Sequence, residues 1–167
     1  MSARAQVEEY EMKKSEWKDV INISASGGGP HKKQRGTGHT VGLRKNGTVV
    51  AVGDNNWGQC EVSEWKDIVK IATGDWYTIG LDKYGKVYMT GQNDSSTHTV
   101  YKNESILSSL NHVVDVAAGF GQSLFLKDDG TLVVFGFDDS NKNSETLDWE
   151  NIKMESEYKE FLCNKEY

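Results

Sequence analysis

The chain has 167 residues, 37% of them hydrophobic, with a net charge of −6 and a pI near 5.2. This acidic balance argues against a nucleic-acid-binding surface, which needs clustered Lys and Arg to neutralise phosphates. No apolar run approaches the roughly 18 residues that a membrane span requires, so we expect neither nucleic acid nor a membrane as a partner.

The N-terminus and the cysteines bear on localisation. Residues 1–17 carry no apolar segment after their charges, so we expect no secretory signal. Cys60 and Cys163 lie in unlike contexts and form no Cys-x-x-Cys pattern, which fits reduced thiols, although two cysteines leave a disulfide open. We therefore expect a soluble, cytoplasmic protein that is long enough for one domain with its own core.

Residues 1–16 favour a short helix by composition and precede the first of several repeats. Each repeat begins with an apolar strand that ends in small residues. The sequence predicts these first strands at Val20 to Ala25, Ile68 to Thr73 and Val113 to Ala118. A fourth such start, at Trp149, is followed by only part of a repeat.

A β-hairpin follows each first strand. Residues 39–55, 77–93 and 122–138 are three versions of one pattern, in which two alternating strands flank a charged turn that ends in Gly. They start 38 and 45 residues apart, a spacing that indicates a propeller or a solenoid. The residues that we assign to the structural repeat are His39, Leu43, Gly47, Gly53, Gly74, Leu81, Gly85, Gly91, Gly119, Leu126, Gly130 and Gly136.

Each repeat is predicted to form one blade of a β-propeller, an antiparallel sheet of four strands. In the first blade the fourth strand is expected around Cys60 to Val62. Two insertions, 26–35 and 94–109, break the regularity, and such insertions often lie on the binding face. The predicted divisions are an N-terminal extension (1–16), three repeats within 17–139 (about 17–64, 65–109 and 110–148) and a degenerate half repeat (149–167).

The repeats resemble those of the regulator of chromosome condensation (RCC1) family, its bacterial members in particular. The resemblance is carried by Gly38-His-Thr-Val-Gly-Leu, Asn46-Gly-Thr-Val-Val-Ala-Val-Gly-Asp-Asn and Trp57-Gly-Gln-Cys. It implies an all-β fold, a partial RCC1-like β-propeller of about three and a half blades. Members of the family include exchange factors for a small GTPase and bacterial inhibitors of β-lactamases. The sequence has no counterpart of the exchange factor's long loop, so exchange activity is not carried over.

The number of repeats raises the question of ring closure. Three complete repeats and part of a fourth cannot close a seven-bladed ring, and an open arc exposes sheet edges. Two copies of the chain would supply seven blades, and a twofold pair is the commonest oligomer. The sequence leaves open both a homodimer that completes the ring and a fragment of a longer propeller.

Candidate binding residues lie on predicted loops. The Gly-rich insertion after the first strand carries basic side chains but lacks the P-loop spacing, which favours a basic surface loop for an acidic partner over a phosphate site. Aromatic residues on Gly-rich loops often anchor interfaces. Trp residues at the repeat starts (Trp17, Trp65 and Trp149) are instead expected to pack between blades. The residues that we predict to bind a protein partner are His31, Lys32, Lys33, Arg35, Trp57, Trp76 and Phe120.

Catalytic and metal-binding patterns are missing from the sequence. His39 could serve as a base or a metal ligand, but its place at the start of a strand favours a hydrogen bond from its ring nitrogen to backbone between strands or blades. No Cys/His metal spacing and no nucleophile elbow occurs. We therefore predict no cofactor and a non-enzymatic protein-interaction module that binds an unidentified protein through loops on one face. The alternatives are nucleotide exchange on a small GTPase and a truncated structural fragment.

Overall fold

The computed structural model describes residues 17–27, 38–91, 107, 110–119 and 122–136. This part of the chain is all-β, as predicted, and contains nine strands. The strands are β1 (Val20–Ala25), β2 (His39–Arg44), β3 (Val49–Gly53), β4 (Ile68–Thr73), β5 (Tyr77–Asp82), β6 (Val87–Gly91), β7 (Val113–Ala118), β8 (Gln122–Lys127) and β9 (Leu132–Gly136). The three predicted first strands are confirmed with their bounds.

The strands form three antiparallel sheets of the same topology, which we call blades one to three. Their strand orders are β1-β2-β3, β4-β5-β6 and β7-β8-β9. Each first strand shows the same register shift near its start, between Val20 and Asn22 in blade one and at the equivalent places in the other blades. The extra residue is a β-bulge, which increases the local twist of the strand.

Each hairpin turn has three residues and ends in a Gly with positive φ. In blade one, Gly47 has a φ of 78° and donates its N–H to the Arg44 carbonyl at 2.9 Å. Gly85 and Gly130 repeat this geometry with φ values of 81° and 86°. A type I turn followed by a left-handed residue is a common three-residue hairpin, and Gly adopts that conformation without strain.

The hydrophobic core lies between neighbouring blades, in two layers that we call the first and second seams. Strand β4 lies against β1 and β2, and β7 lies against β4 and β5. The first seam buries Val41, Leu43, Val49, Val62, Trp65 and Ile68. The second seam buries Ala72, Tyr77, Ile79, Leu81, Val87, Leu110, Val113 and Phe125. Each seam thus joins the first strand of one blade to the first two strands of the preceding blade.

A large side chain at the start of blades one and two packs on the middle strand of the same blade. The Trp17 ring lies 3.1 Å from the position that a Cβ on Gly42 would occupy. The Trp65 ring lies 2.7 Å from the corresponding position on Gly80. Trp65 also belongs to the first seam and is 5.9 Å from the Tyr88 ring, centroid to centroid. Its predicted packing between blades is confirmed.

The prediction of a fourth strand at Cys60 to Val62 is wrong, because these residues form no strand. The Glu61 N–H donates to the Gly58 carbonyl at 3.0 Å, and the Val62 N–H donates to the Cys60 carbonyl at 2.9 Å. These local bonds use the backbone groups that a strand would pair with β3. Val62 is 2% exposed and belongs to the first seam, which accounts for the apolar residue in the pattern. The described sheets therefore have three strands each. The predicted N-terminal helix (1–16) and half repeat (149–167) lie outside the described residues.

Candidate functional site

The two ends of the blades carry different kinds of connection. Strand pairing places Ala25 beside Thr40 and Thr73 beside Thr78, so β1–β2 and β4–β5 are connected at the same end of their blades. Loop 54–61, which leaves β3, starts at this end too, because Gly53 pairs with His39. We call this end the connector face. The opposite end, which carries the three hairpin turns, is the turn face.

Loop 54–61 holds Trp57 on the connector face by side-chain hydrogen bonds. The Trp57 N–H donates to Gln59 Oε1 at 2.9 Å, and Gln59 Nε2 donates to Asp54 Oδ2 at 3.0 Å. Gln59 is fully buried, so its amide links the middle of the loop to its first residue from inside. A buried amide with both ends bonded fixes the loop in one conformation.

A second set of bonds ties the two halves of the loop together. Asn55 Oδ1 accepts the Cys60 N–H at 2.8 Å, and Asn55 Nδ2 donates to Glu61 Oε1 at 3.0 Å. Between them, Gly58 has a φ of 80° and donates its N–H to the Asn55 carbonyl at 3.1 Å. Asn and Gly at these places suit a tight turn, because Asn side chains bond nearby backbone and Gly tolerates positive φ.

Two hydroxyl groups of blade two bond backbone carbonyls of loop 54–61. Thr90 Oγ1 donates to the Gly58 carbonyl at 2.8 Å, and Thr78 Oγ1 donates to the Gln59 carbonyl at 2.8 Å. The loop therefore starts from blade one and is bonded to blade two across the first seam. Trp57 remains 48% exposed. The result is a large aromatic side chain presented to solvent from a loop that is ordered on both sides.

His39 is a structural residue of the first seam. Its Nε2 lies 2.8 Å from Thr78 Oγ1 in blade two, and its Nδ1 lies 3.1 Å from Ser26 Oγ in blade one. The ring is 2% exposed. The predicted hydrogen bond between blades is present, but the predicted backbone partner is wrong, because both ring nitrogens bond side-chain hydroxyl groups.

The bonds around His39 define its tautomer. Thr78 uses its hydroxyl proton on the Gln59 carbonyl, so Thr78 Oγ1 must accept a hydrogen bond from His39 Nε2–H. Ser26 Oγ accepts the His39 backbone N–H at 3.0 Å and can donate its own proton to Nδ1. The ring is therefore neutral, with its proton on Nε2.

Burial also favours the neutral form of His39. Desolvation lowers the pKa of His39 from 6.5 to about 4, and the nearby Asp54 carboxylate opposes this change in part. The ring therefore stays uncharged near neutral pH. A neutral imidazole whose nitrogens are both bonded to protein hydroxyl groups is not available to bind a metal ion or to transfer a proton.

The second seam repeats this arrangement with a different donor. Tyr77 occupies the position of His39 in blade two, and its hydroxyl donates to the Gln122 carbonyl at 2.7 Å, with the Gly119 carbonyl at 3.2 Å. Ser123 occupies the position of Thr78 and donates to the Tyr77 hydroxyl at 3.2 Å. Burial raises the pKa of Tyr77, offset in part by the bonds to Ser123 and Gly119.

The predicted partner residues are only partly within the described chain. Trp57 lies on the connector face as described above. Trp76 lies in the β4–β5 connection on the same face and is half-buried. The other predicted partner residues, His31, Lys32, Lys33, Arg35 and Phe120, lie outside the described residues. Their sequence connections, β1–β2 and β7–β8, are bounded by strand ends at the connector face.

Sequence reasoning missed the residues that hold the Trp57 loop. Gln59 belongs to the Trp57-Gly-Gln-Cys motif, but that motif does not indicate Thr78 and Thr90, which bond the loop from blade two. One signal was present in the sequence. A hydroxyl residue stands at the second position of every middle strand, as Thr40, Thr78 and Ser123. That regularity could have predicted a hydrogen bond repeated at each seam.

Two further properties of the described chain limit the choice of function. Residues 17–27, 38–91, 107, 110–119 and 122–136 include no group of three His, Cys, Asp or Glu side chains that could hold a metal ion. The same residues contain no helix with the length and apolarity needed to cross a membrane.

Known proteins similar to this chain include very long relatives. The human E3 ubiquitin-protein ligase HERC2 is 28% identical over an alignment covering 67% of this chain, and its mouse counterpart is 27% identical over the same share. The chain spans only about 3% of the length of these curated relatives. No protein-family model matches the chain.

Solved structures similar to this chain are β-propellers. The ectodomain of the Physcomitrella patens receptor kinase CR4 aligns with a TM-score of 0.50 and 17% identity, covering 71% of this chain and 29% of that one. Yeast RCC1 (Prp20) bound to Kap60 aligns with a TM-score of 0.48 and 22% identity, covering 60% of this chain and 28% of that one. The described residues therefore have the fold of a β-propeller, and the chain is similar in sequence to part of HERC2.

Proposed function

We propose that this chain is a non-enzymatic protein-interaction module whose connector face binds a protein partner, with Trp57 as the anchor. The observation that carries the proposal is the contrast between the exposure of the indole and the order of its loop. Trp57 is 48% exposed, whereas loop 54–61 is bonded internally and to blade two. An exposed aromatic residue on an ordered loop is typical of an interface hot spot.

Order in the loop favours affinity. A loop that must be immobilised on binding loses part of the interaction free energy to conformational entropy, at about 0.5–1.5 kcal/mol per side chain. Loop 54–61 is already fixed by Gln59, Asn55 and the two threonines of blade two. The partner therefore meets a preformed surface. The basic residues predicted for the same face, Lys32, Lys33 and Arg35, would add attraction for an acidic partner.

A binding role fits the chemistry of the described residues better than catalysis. His39 has both ring nitrogens bonded within the first seam and a low pKa. Every buried polar side-chain atom among the described residues has a hydrogen-bond partner, so none points unsatisfied into a cleft. The ubiquitin-ligase activity of HERC2 is not part of the proposal, because the chain spans about 3% of that protein.

The test compares two exposed aromatic residues on opposite faces. Trp57→Ala removes the anchor from the connector face, and Tyr84→Ala removes an aromatic that is 75% exposed on the turn face. Partners captured by the immobilised full chain would be identified by mass spectrometry and their affinities measured by calorimetry. We expect Trp57→Ala to weaken binding about tenfold or more, and Tyr84→Ala to leave it unchanged.

The outcomes separate the candidate functions. Equal loss with both variants, or no loss with Trp57→Ala, Trp76→Ala and Lys32→Ala, would refute the connector face as the binding surface. Capture of a small GTPase whose nucleotide release the chain accelerates would replace the proposal by nucleotide exchange. Trp57→Ala and Tyr84→Ala change no residue of the two seams, so the circular dichroism of each variant should match that of the wild type.

We also propose that two copies of the chain pair to complete the propeller ring. The supporting observation is an apolar surface on blade one, where Ile21 and Ile23 are 63% and 67% exposed. The alternative, a fragment of a longer propeller, would leave the same surface for another part of that protein. Sedimentation velocity of the full chain over a range of concentrations distinguishes a pair from a single copy.

A further inference from the structure

The hairpin turn of blade one contains Asn46-Gly47, the one Asn-Gly pair in the sequence. In such a pair the backbone nitrogen of the Gly can attack the side-chain amide of the Asn, because Gly has no side chain to obstruct the approach. Asn46 is exposed at the tip of its turn. Solvent therefore reaches the amide, as the loss of ammonia from an Asn side chain requires.

Hydrogen bonds within the turn restrain both reacting groups. The N–H and the hydroxyl of Thr48 donate to Asn46 Oδ1 at 3.0 and 2.7 Å. The Gly47 N–H donates to the Arg44 carbonyl at 2.9 Å. The Gly47 nitrogen must give up this bond before it can lose its proton and attack the Asn46 side chain. The reaction therefore requires the turn to open.

Contacts outside the turn also hold it closed. The Gly47 carbonyl accepts the Ile68 N–H at 3.0 Å, and a Cβ on Gly47 would lie 3.0 Å from the Asp67 Cα. The Lys45 N–H donates to the Asp19 carbonyl at 2.8 Å. Opening of the turn therefore breaks contacts with blade two and with the start of blade one. Local opening of this kind has its own free energy, which sets the fraction of time that the site can react.

The equivalent turn of blade three has an acid where blade one has the amide. Asp129-Gly130 is the one Asp-Gly pair in the sequence, and Asp129 Oδ1 accepts the Thr131 N–H at 2.8 Å, as Asn46 Oδ1 accepts that of Thr48. The Thr131 hydroxyl and N–H hold the pKa of Asp129 below its ordinary value. This turn geometry therefore accommodates a carboxylate as well as an amide.

We propose that Asn46 is a site of covalent modification, at which the chain deamidates when the turn opens. The Gly47 nitrogen loses its proton to solvent base and attacks Asn46 Cγ. The new N–Cγ bond replaces the Cγ–Nδ2 bond, and Nδ2 leaves as ammonia after taking a proton from water. Water then opens the five-membered imide. Cleavage of the N–Cγ bond leaves aspartate at position 46, and cleavage at the backbone carbonyl carbon leaves isoaspartate. No group is oxidised or reduced.

The two products differ in their effect on the first seam. Aspartate keeps the main chain unchanged and reproduces the bond of Asp129 in blade three. Isoaspartate routes the main chain through the side chain and adds one carbon to a three-residue turn, whose length sets the hairpin geometry. The added carbon displaces Gly47 from Ile68 and Asp67. The isoaspartate product should therefore melt at a lower temperature than the aspartate product.

The test follows deamidation of the full chain at mildly alkaline pH, folded and in urea. Trypsin releases peptide 46–66, which also contains Asn55 and Asn56, each followed by a residue with a side chain. These two amides are internal controls within the same peptide. Mass spectrometry with electron-transfer fragmentation locates the converted residue, and labelling by isoaspartyl methyltransferase measures the isoaspartate fraction.

In urea, Asn46 should convert before Asn55 and Asn56. In the folded chain Asn46 should convert about tenfold or more slowly than in urea, which corresponds to an opening free energy of about 1.4 kcal/mol or more. Thr48→Val removes one of the two bonds to Asn46 Oδ1 and should raise the folded rate without changing the rate in urea. Thr131→Val makes the same change in blade three and should leave the rate at Asn46 unchanged.

Several results would overturn the proposal. Equal rates at Asn46, Asn55 and Asn56 in urea would remove the special reactivity of the site. Equal rates in the folded chain and in urea, or equal effects of Thr48→Val and Thr131→Val, would remove the control by the turn. A folded chain that never converts would show that the site reacts only after denaturation. Asn46→Asp should melt like the wild type, and a loss equal to that of the purified isoaspartate product would contradict the precedent of blade three.

Discussion

Blades two and three fill the same space with side chains of reversed size. In blade two the Trp65 indole lies over Gly80, with the ring 2.7 Å from the position of a Cβ on that Gly. In blade three the equivalent residues are Leu110 and Phe125, and both belong to the second-seam cluster. In blade two the large Trp65 side chain lies over a Gly, which has no side chain. In blade three the smaller Leu110 side chain is paired with the large Phe125 ring.

The two blades thus keep the same filled volume with different residues. Protein interiors are close-packed, so the space between the blade start and its middle strand must be filled once and only once. Blade one follows blade two, with Trp17 over Gly42 at 3.1 Å. The sequence differences between blades are therefore coupled within each blade, and the coupling can be tested by moving the pair from one blade to another.

The largest effect is expected from breaking the match in blade two. Gly80→Phe places a ring where the Trp65 indole already lies, and overpacking of this kind costs about 3 kcal/mol or more of the free energy of unfolding. The double variant Trp65→Leu with Gly80→Phe copies blade three and should recover most of that loss. Urea unfolding measures both. A double variant that is less stable than Gly80→Phe alone would contradict the matched-volume interpretation.

The next largest effect is a loss of stability in acid that involves His39 in the first seam but not Tyr77 in the second. Folded His39 has a pKa of about 4, whereas the unfolded chain should titrate it near 6.5. Between these values the unfolded state binds more protons, so the free energy of unfolding falls as the pH falls, by about 3 kcal/mol at most. The pKa of Tyr77 is raised above its ordinary value of 10.0, so the second seam does not respond in this window.

Other groups also titrate in acid, so the control is His39→Gln. Carboxylates and the remaining histidines contribute equally to both proteins, and the difference between them isolates His39. We expect the wild type to lose more stability than His39→Gln between pH 6.5 and 4, measured by urea unfolding at each pH. Parallel curves for the two proteins would show that His39 is not buried as described.

A smaller effect is expected from the hydroxyl groups that bond His39 and Tyr77 across the seams. Thr78→Val leaves both the His39 Nε2–H and the Gln59 carbonyl without their partner, at a cost of about 2 kcal/mol. Ser123→Ala removes a single bond to the Tyr77 hydroxyl, which still donates to the Gln122 carbonyl, at a cost of about 1 kcal/mol or less. Thermal unfolding of the two variants ranks them. The reverse order would show that the two seams are not built alike.

The smallest effect is expected at the ion pair of the second seam. Lys70 and Asp115 are 2.9 Å apart, but their side chains are 31% and 48% exposed. Exposed ion pairs of this kind contribute about 0–1 kcal/mol and are screened by salt. Asp115→Asn should therefore change the free energy of unfolding by less than the hydroxyl substitutions, and the difference should shrink further in high salt. A loss above that of Thr78→Val would show that this exposed ion pair contributes more to stability than the buried hydrogen bonds of Thr78.

Much of the fold follows from local pattern. Alternating apolar residues, charged turns and Gly at fixed places predicted the three first strands and the hairpins, because strand and turn geometry depend on near neighbours. The fourth strand at Cys60 to Val62 failed for the opposite reason. Val62 is apolar because it is buried in the first seam. An apolar residue near a turn gives the same local sequence pattern whether it lies in a strand or in a loop that packs on the core.

The binding face was predictable only in part. Trp57 was recognisable because a Trp in a Gly-rich loop is unusual, whereas its support by Gln59, Thr78 and Thr90 joins residues from two blades. Bonds of this kind depend on how blades are placed side by side. The interblade role of His39 was inferred from its position in the repeat, but its hydroxyl partners required the structure.

Short-range strand and turn signals that recur in register were enough to predict the series of small antiparallel sheets that the described residues form. How the sheets meet was visible only in the folded chain: Trp65 packs over Gly80, His39 bonds Thr78, and Ile23 is exposed on blade one. Such packing and buried hydrogen bonds join residues that are distant along the chain. Their complementarity exists in the folded molecule, and the hydroxyl residue that recurs at the second position of each middle strand is the one trace of it that the sequence analysis could have used.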